Sequence, residues 1–205
     1  MNKMNLYGFA IGAVRLFYSL CFNIKVEGTE NIPQKNGFVA VCNHKSNFDP
    51  PLVAVALPRK LTFMAKEELF DIKPLGFVIK KLGAFPIKRG SGDLGAIRLT
   101  LSLLKDEKNI LIFPEGTRCK EKGKLLEGKQ GAALIAYKAN VPIVPIGING
   151  EYGFRKKITV KFGKPIILSE YIEGRASSEV LKKATDGLIM PEIAELCGAE
   201  YSYGD

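Results

Sequence analysis

Short apolar runs that alternate with helical patterns restrict the fold of this chain more than any other feature. Five runs have the length and composition of buried strands, at residues 38–42, 61–65, 109–113, 141–148 and 158–162. Apolar spacing predicts helices at residues 50–57, 94–104, 131–139 and 177–196. This alternation predicts an α/β fold with a mostly parallel central sheet flanked by helices. Because Pro142 and Pro145 interrupt the fourth run, we expect that strand at a sheet edge or with a bulge.

One domain accounts for most of the chain. The sequence has 205 residues, enough to bury a sizeable core, and its 46% hydrophobic and 25% charged residues are typical of a globular protein. A further short strand is predicted at residues 23–27, and we find no repeat, low-complexity tract or linker. We therefore predict a single α/β domain over residues 23–205, preceded by an apolar helix over residues 1–22.

The N-terminal helix is predicted to associate with a membrane. Residues 6–22 are almost entirely apolar or aromatic, and Arg15 is their one charge. The segment is slightly short for a bilayer span, and an arginine at the centre of a span costs about 2.5–3.5 kcal/mol. We expect the helix to lie in one leaflet as an anchor, with Lys3, Arg15 and Lys25 facing headgroups. The alternative is a helix buried in the protein core.

The net charge of +9 predicts an anionic partner, which can be nucleic acid, an anionic phospholipid surface or a phosphorylated metabolite. Residues 59–89 alone contain eight basic residues and three acidic ones, which suits an anionic membrane surface or, alternatively, a solvated basic face. Four cysteines without a C-x-x-C pair, beside one histidine, predict no metal site. They also indicate a reducing compartment, so we expect a peripheral protein on the cytoplasmic face of the cell membrane.

The stretch NHKSNFD at residues 43–49 follows the first apolar run and contains His44, the only histidine of the chain. Asp49 comes five positions later, so in a helix the two side chains would point to different sides. Pro50 and Pro51 disfavour helical geometry before them, so a contact would be made across a loop at a strand's carboxyl end. A carboxylate on one ring nitrogen would leave the other free to accept a proton. The alternative is structural, with Asp49 as a helix N-cap and the histidine packed.

A second loop with chemical character is FPEGTR at residues 113–118. Gly116 permits a tight turn there, and Thr117 and Arg118 offer a hydroxyl and a guanidinium that can bind phosphate through two hydrogen bonds. A predicted strand and turn at residues 83–90 ends on two further cations, Lys88 and Arg89. The alternative for both groups is a solvent-facing turn that carries surface charges.

Four blocks of the sequence together resemble the glycerolipid acyltransferase family, specifically the 1-acylglycerol-3-phosphate (lysophosphatidate) acyltransferases. The blocks are NHxSxxD from Asn43, GxFxIxR from Gly83, FPEGTR from Phe113 and VPIVPI from Val141, in the family's order. The resemblance covers residues 26–148. It implies that an acyl chain passes from an acyl thioester, carried by coenzyme A or acyl carrier protein, to the 2-hydroxyl of lysophosphatidic acid. The product would be phosphatidic acid, an intermediate of phospholipid biosynthesis.

The same resemblance implies the site residues. His44 would be the general base, and Asp49 would orient it. The substrate-binding residues that it implies are Lys88, Arg89, Glu115, Gly116, Thr117 and Arg118. The three cations would hold the acceptor phosphate, and the glutamate and the glycine would shape the site for the glycerol. Beyond the acyl donor, neither a cofactor nor a metal is implied.

Other functions fit single features of the chain. A nucleic-acid-binding module would explain the net charge, but aromatic residues do not interleave with the basic runs as stacking platforms would, so we predict no nucleic-acid partner. A serine hydrolase would need a Gly-x-Ser-x-Gly elbow, which the sequence lacks. The open alternatives are a non-catalytic basic membrane-surface protein and an acyltransferase for glycerol 3-phosphate or another lysophospholipid.

Overall fold

The central sheet contains all of the predicted strands. The computed structural model describes residues 3–73, 75–87, 94–172 and 174–202. Within them lie seven strands: β1 (Asn23–Glu27), β2 (Val39–Cys42), β3 (Leu61–Lys66), β4 (Ala84–Ile87), β5 (Asn109–Ile112), β6 (Ile143–Gly150) and β7 (Lys157–Phe162). Their order in the sheet is β1-β7-β6-β2-β5-β3-β4. Neighbouring strands are parallel except β6 and β7, so the predicted α/β class with a mostly parallel sheet is confirmed.

Helices precede, connect and follow these strands. The described part of the chain contains α1 (Lys3–Cys21), α2 (Asp49–Ala56), α3 (Leu75–Lys81), α4 (Leu94–Lys105), α5 (Gly131–Ala139), α6 (Ser178–Ala184) and α7 (Met190–Cys197). Short 3-10 helices occupy Thr29–Asn31, Glu67–Phe70 and Leu168–Glu170, and a π-helical turn at Thr185–Ile189 joins α6 to α7. The helices predicted between residues 50 and 196 are therefore confirmed, and the last of them is divided by the π-helical turn.

The sheet is buried on both faces, as β2 shows. Its side chains alternate between two apolar clusters, and all four are fully buried. Ala40 and Cys42 pack with residues of α1, α2 and α3, whereas Val39 and Val41 pack with residues of α4, α5, α6 and α7. A strand that is apolar at consecutive positions fits a parallel sheet covered by helices on both sides.

β6 lies inside the sheet, between β2 and β7, so of the two predicted alternatives, a sheet edge or a bulge, the edge position is wrong. Pro145 lacks an N–H, but the ladder with β7 begins only at Ile146, so the proline removes no bond of that ladder. The carbonyl of Pro145 still accepts a hydrogen bond from the N–H of Gly163 at 2.8 Å. An interior strand tolerates proline here because the antiparallel ladder with β7 does not include Pro145.

α1 packs against the core with one face and exposes the other. Tyr18 is only 2% exposed, whereas Phe9 is 77% and Leu16 and Leu20 are each 60% exposed. Arg15 donates a hydrogen bond from Nη2 to the carbonyl of Val55 near the end of α2, at 3.1 Å. No helix among the described residues is both long enough and apolar enough to cross a bilayer. Membrane association of α1 stays a prediction.

Candidate active site

The loops at residues 43–49 and 113–118 meet at the edge of the sheet that is formed by the carboxyl ends of its parallel strands. β2 lies between β5 and β6, and the carboxyl ends of all three strands reach the same region. The segment at residues 43–49 follows β2, and the segment at residues 113–118 follows β5. An open cleft of about 550 Å³ lies over this edge and is lined in part by His44, Glu115 and Tyr152. Open α/β sheets build their sites at this position.

His44 and Asp49 contact each other directly. His44 Nδ1 lies 2.9 Å from Asp49 Oδ2, and the two side chains are 9% and 0% exposed. The imidazole stacks on Phe113 with ring centroids 4.0 Å apart and planes 21° from parallel. An ionised carboxylate only accepts hydrogen bonds, so opposite an ionised Asp49 a neutral imidazole has its proton on Nδ1 and its lone pair on Nε2. The predicted meeting of these two residues across a loop is confirmed.

Asp49 begins α2, and its carboxylate binds the preceding loop instead of capping the helix. Its Oδ2 also accepts hydrogen bonds from the N–H groups of Lys45 at 2.7 Å and Ser46 at 2.6 Å. The N-cap of α2 is Phe48, and no side chain caps that helix end. The predicted capping role of Asp49 is therefore wrong, because its carboxylate points back to the loop that carries His44.

Glu115 connects the second loop to the first. It is only 2% exposed, and its Oε1 accepts a hydrogen bond from the N–H of His44 at 2.7 Å. Its Oε2 accepts another from the N–H of Leu126 at 2.9 Å. Burial raises the pKa of Glu115, while these two main-chain hydrogen bonds act in the opposite direction. The carbonyl of His44 accepts from the N–H of Cys119 at 2.7 Å, so this loop holds both main-chain groups of His44.

β6 holds the His44 loop from the other side. The Asn43 amide exchanges two hydrogen bonds with the main chain of Ile148, at 3.1 and 2.8 Å. The ammonium of Lys45 donates to the carbonyls of Ile148 and Gly150. Burial lowers the pKa of Lys45, and the charge of Asp49 opposes that shift. No sequence pattern predicted a role for Asn43 or Lys45, because their hydrogen-bond partners lie 103 to 105 residues away in the chain.

The remaining predicted substrate residues are at the surface or outside the described residues. Gly116 adopts a φ of 69°, which favours glycine, and Thr117 and Arg118 beside it are exposed. Among the described residues, no hydrogen-bond or ion-pair partner of the Arg118 guanidinium is found. Lys88 and Arg89 lie outside the described residues. Their roles in binding stay predictions.

Lys129 is a cation near this loop that the sequence analysis missed. Its N–H donates to the carbonyl of Pro114 at 2.8 Å. Its side chain lies along Gly116, where an added Cβ would be 3.0 Å from the ammonium nitrogen. The absence of a side chain at Gly116 therefore leaves room for this lysine.

Among the described residues, no group of three or more histidine, cysteine, aspartate or glutamate side chains is arranged to hold a metal.

Comparison with known proteins identifies the family of this chain. The family model described as "Acyltransferase" matches residues 23–149. A 1-acyl-sn-glycerol-3-phosphate acyltransferase of Bacillus subtilis is 34% identical over 89% of this chain and 93% of its own length. One from Streptococcus pneumoniae is 34% identical over 77% of this chain and 61% of its own length. The chain therefore belongs to the acyltransferase family, in the group that contains the 1-acyl-sn-glycerol-3-phosphate acyltransferases, as the four sequence blocks predicted.

A solved structure extends the similarity to the whole fold. The crystal structure of the 1-acyl-sn-glycerophosphate acyltransferase PlsC from Thermotoga maritima matches with a TM-score of 0.67 and 28% identity. The match covers 95% of this chain and 79% of that one. The protein is an enzyme of this family, which sets aside the predicted alternative of a non-catalytic membrane-surface protein.

Proposed function

We propose that this enzyme transfers an acyl chain from an acyl thioester to the 2-hydroxyl of 1-acyl-glycerol 3-phosphate and so forms phosphatidic acid. The observation that carries the proposal is the contact of 2.9 Å between His44 Nδ1 and Asp49 Oδ2 in the cleft. The names of the similar proteins, which all specify an acyl-glycerophosphate acceptor, support the choice of substrate.

In the proposed reaction, His44 acts as the general base and Asp49 as its orienting group. Asp49 keeps the proton on Nδ1, so Nε2 accepts the proton of the acceptor hydroxyl as its oxygen attacks the thioester carbonyl. A carbon–oxygen bond forms, and the tetrahedral intermediate then breaks the carbon–sulfur bond. The proton on Nε2 passes to the leaving thiolate and restores the neutral imidazole. Asp49 stabilises the imidazolium in between, and no acyl-enzyme is needed.

The acceptor phosphate is proposed to bind at the loop of residues 113–118. Arg118 is exposed there, and its guanidinium can donate two charge-assisted hydrogen bonds to a phosphate. Lys88 and Arg89 are proposed to contribute further charge. Thr117 can donate from its hydroxyl, and Glu115 and Gly116 are proposed to shape the site for the glycerol.

The acceptor is an amphiphile, so we propose that the enzyme works at the cytoplasmic face of the cell membrane. Residues 1–22 would anchor the domain formed by residues 23–205, with the exposed apolar face of α1 in one leaflet. On α3, Phe77 is 65% exposed beside Lys80 and Lys81, a combination that suits an anionic phospholipid surface.

Purified enzyme in detergent tests the proposal directly. The enzyme would be incubated with lysophosphatidic acid and an acyl donor, either acyl-coenzyme A or acyl carrier protein loaded with an acyl chain. The phosphatidic acid formed is then quantified. We expect phosphatidic acid to form with at least one donor, and the rates of the two reactions show which donor the enzyme uses. Parallel reactions with glycerol 3-phosphate and with lysophosphatidylcholine examine the other acceptors. If one of those is acylated while lysophosphatidic acid gives no product with either donor, the proposed acceptor is wrong.

A further inference from the structure

Tyr152 makes the second side-chain contact of the catalytic carboxylate. It follows β6 and lies just beyond residues 23–149, which match the acyltransferase family model. Its hydroxyl donates a hydrogen bond to Asp49 Oδ1 at 2.6 Å. The contact joins residues that are 103 positions apart in the chain, and it lies on the opposite carboxylate oxygen from the His44 contact.

The two oxygens of Asp49 have different partners. Oδ2 accepts from the ring of His44 and from two main-chain N–H groups of the same loop. Among the described residues, Oδ1 has one hydrogen-bond partner, the hydroxyl of Tyr152. Within the described part of the chain, the Tyr152 contact is thus the one side-chain hydrogen bond that holds the Asp49 carboxylate from outside its own loop. Burial, and then the negative charge of Asp49, raise the pKa of Tyr152, so the hydroxyl stays protonated and donates.

The ring of Tyr152 is itself held in place. It packs against Phe22 with centroids 5.5 Å apart and against Phe48 with centroids 5.4 Å apart. Tyr18 of α1 completes this aromatic cluster, and its hydroxyl donates to the carbonyl of Phe48 at 2.6 Å. Because Phe22 and Phe48 pack directly against the Tyr152 ring, its hydroxyl meets Asp49 at a defined angle.

From these contacts we propose that Tyr152 is a positioning residue of the acyl-transfer reaction. By holding Oδ1, it orients the Asp49 carboxylate so that the imidazole of His44 presents Nε2 to the acceptor hydroxyl. The inference rests on the proposed role of His44 as the general base.

Other ionisable groups lie near this carboxylate without donating a side-chain hydrogen bond to it. The ammonium of Lys45 is held by carbonyls of β6, and the carboxyl of Glu115 lies under the main chain of His44. The hydroxyl of Tyr18 and the thiol of Cys42 are buried close enough for the charge of Asp49 to raise the pKa of each. Replacing Tyr152 by phenylalanine leaves all four of these groups in place.

The substitution Tyr152→Phe removes only the hydroxyl, and Tyr18→Phe is its matched control. Both tyrosines belong to the same cluster and lose one hydroxyl hydrogen bond, but only Tyr152 donates to Asp49. We expect Tyr152→Phe to lower kcat by about 10- to 100-fold, the usual effect of a lost hydrogen bond to a charged group. The KM values for donor and acceptor should change by less than about twofold, because neither substrate is contacted. Tyr18→Phe should keep kcat within about twofold of the wild type.

A second readout does not depend on activity. Because His44 is the only histidine, ¹⁵N-histidine labelling gives the signals of one ring, whose titration can be followed by NMR. Without the hydroxyl, Asp49 Oδ1 keeps more negative charge and stabilises the protonated ring more strongly. We therefore expect Tyr152→Phe to move the titration midpoint, and the acid limb of kcat, to higher pH. Tyr18→Phe should leave both unchanged.

Two results would overturn the inference. One is an unchanged kcat and titration midpoint in Tyr152→Phe, and the other is an equal fall of kcat in Tyr18→Phe, which would mean that the cluster acts only through stability. His44→Ala in the same assay separates the two proposals. If His44→Ala is inactive while Tyr152→Phe equals the wild type, only the role of Tyr152 fails. If His44→Ala keeps the wild-type rate, the general-base role itself fails.

Discussion

The main-chain N–H of His44 donates a hydrogen bond of 2.7 Å to the buried carboxylate of Glu115, 71 residues further along the chain. The second carboxylate oxygen is bound by Leu126, so both oxygens hold main chain rather than face the cleft freely. This geometry favours a role for Glu115 in placing His44, while direct contact with the glycerol, implied by the family resemblance, stays a prediction.

Glu115→Gln tests these two roles. The glutamine NH₂ group would face one of the two N–H donors, leaving buried donors unpaired at a cost of about 1–3 kcal/mol. We expect a Tm lower by several degrees and a kcat lower by about tenfold, with the KM for the acceptor unchanged. Thermal unfolding and steady-state kinetics measure these quantities.

Glu121→Gln is the matched control for this change. Glu121 lies in the same connection between β5 and α5 and pairs with Lys124 at the surface, where such a pair contributes little. The Tm and kcat of the Glu121→Gln enzyme should therefore match those of the wild type. A Glu115→Gln enzyme with a normal Tm and a raised KM for the acceptor would instead support direct substrate contact.

Arg118→Ala is expected to weaken binding of the phosphorylated acceptor. Loss of two charge-assisted hydrogen bonds should raise the KM for lysophosphatidic acid about 10- to 100-fold and change the donor KM little. Arg118→Lys should recover only part of the loss, because an ammonium cannot form the bidentate pair. Kinetics with each substrate varied in turn measure both effects.

A neutral acceptor and a distant arginine provide the controls for Arg118. Activity toward a monoacylglycerol should be insensitive to Arg118→Ala, since that acceptor has no phosphate. Arg175→Ala, which removes another exposed arginine on the loop before α6, should alter neither KM. Equal losses toward phosphorylated and neutral acceptors would show that Arg118 is structural.

The exposed face of α1 is the place to test membrane attachment. Deleting residues 1–22 would also remove Tyr18 and Phe22, which are buried in the core, so it would confuse binding with folding. The triple substitution Phe9→Gln, Leu16→Gln and Leu20→Gln changes only exposed side chains. We expect Tm to be kept and affinity for anionic vesicles to fall at least about 100-fold, since each apolar side chain contributes about 1.5–3 kcal/mol when buried.

The vesicle experiment has two further arms. Tyr171→Gln changes an exposed aromatic residue near the other apolar cluster of the sheet and should leave vesicle binding unchanged. High salt should weaken binding of the wild type without abolishing it, because an apolar anchor is not screened. Complete release of the wild type by salt alone would contradict the anchoring role of α1.

Much of the fold could be predicted because local patterns coincide with the global structure. The run at residues 38–42 is apolar at every position, which indicates a strand buried on both faces, and β2 is such a strand. The edge position predicted for β6 was wrong. A proline in the sequence shows that one main-chain N–H is missing, but it does not show whether a neighbouring strand needs that N–H for a hydrogen bond. Whether the N–H is needed depends on which residues of β6 pair with β7, and the sequence of β6 alone does not contain that information.

The site was predictable in its motifs and not in its supporting contacts. His44 and Asp49 are close in sequence, so their meeting across a loop could be inferred. Tyr152 lies 103 residues from Asp49, and an aromatic residue after a strand has no pattern that distinguishes a hydrogen-bond donor from a core residue. The same distance concealed the bonds of Lys45 to β6.

The most direct test of the account is the rate at which purified His44→Ala enzyme acylates lysophosphatidic acid, compared with the wild type. The substitution removes the proposed base and leaves the loop at residues 113–118 and its cations in place. We predict a rate lower by about 10²- to 10⁴-fold, the usual contribution of a general base, with the Tm close to that of the wild type. A folded His44→Ala enzyme that keeps more than about a tenth of the wild-type rate would contradict base catalysis by His44.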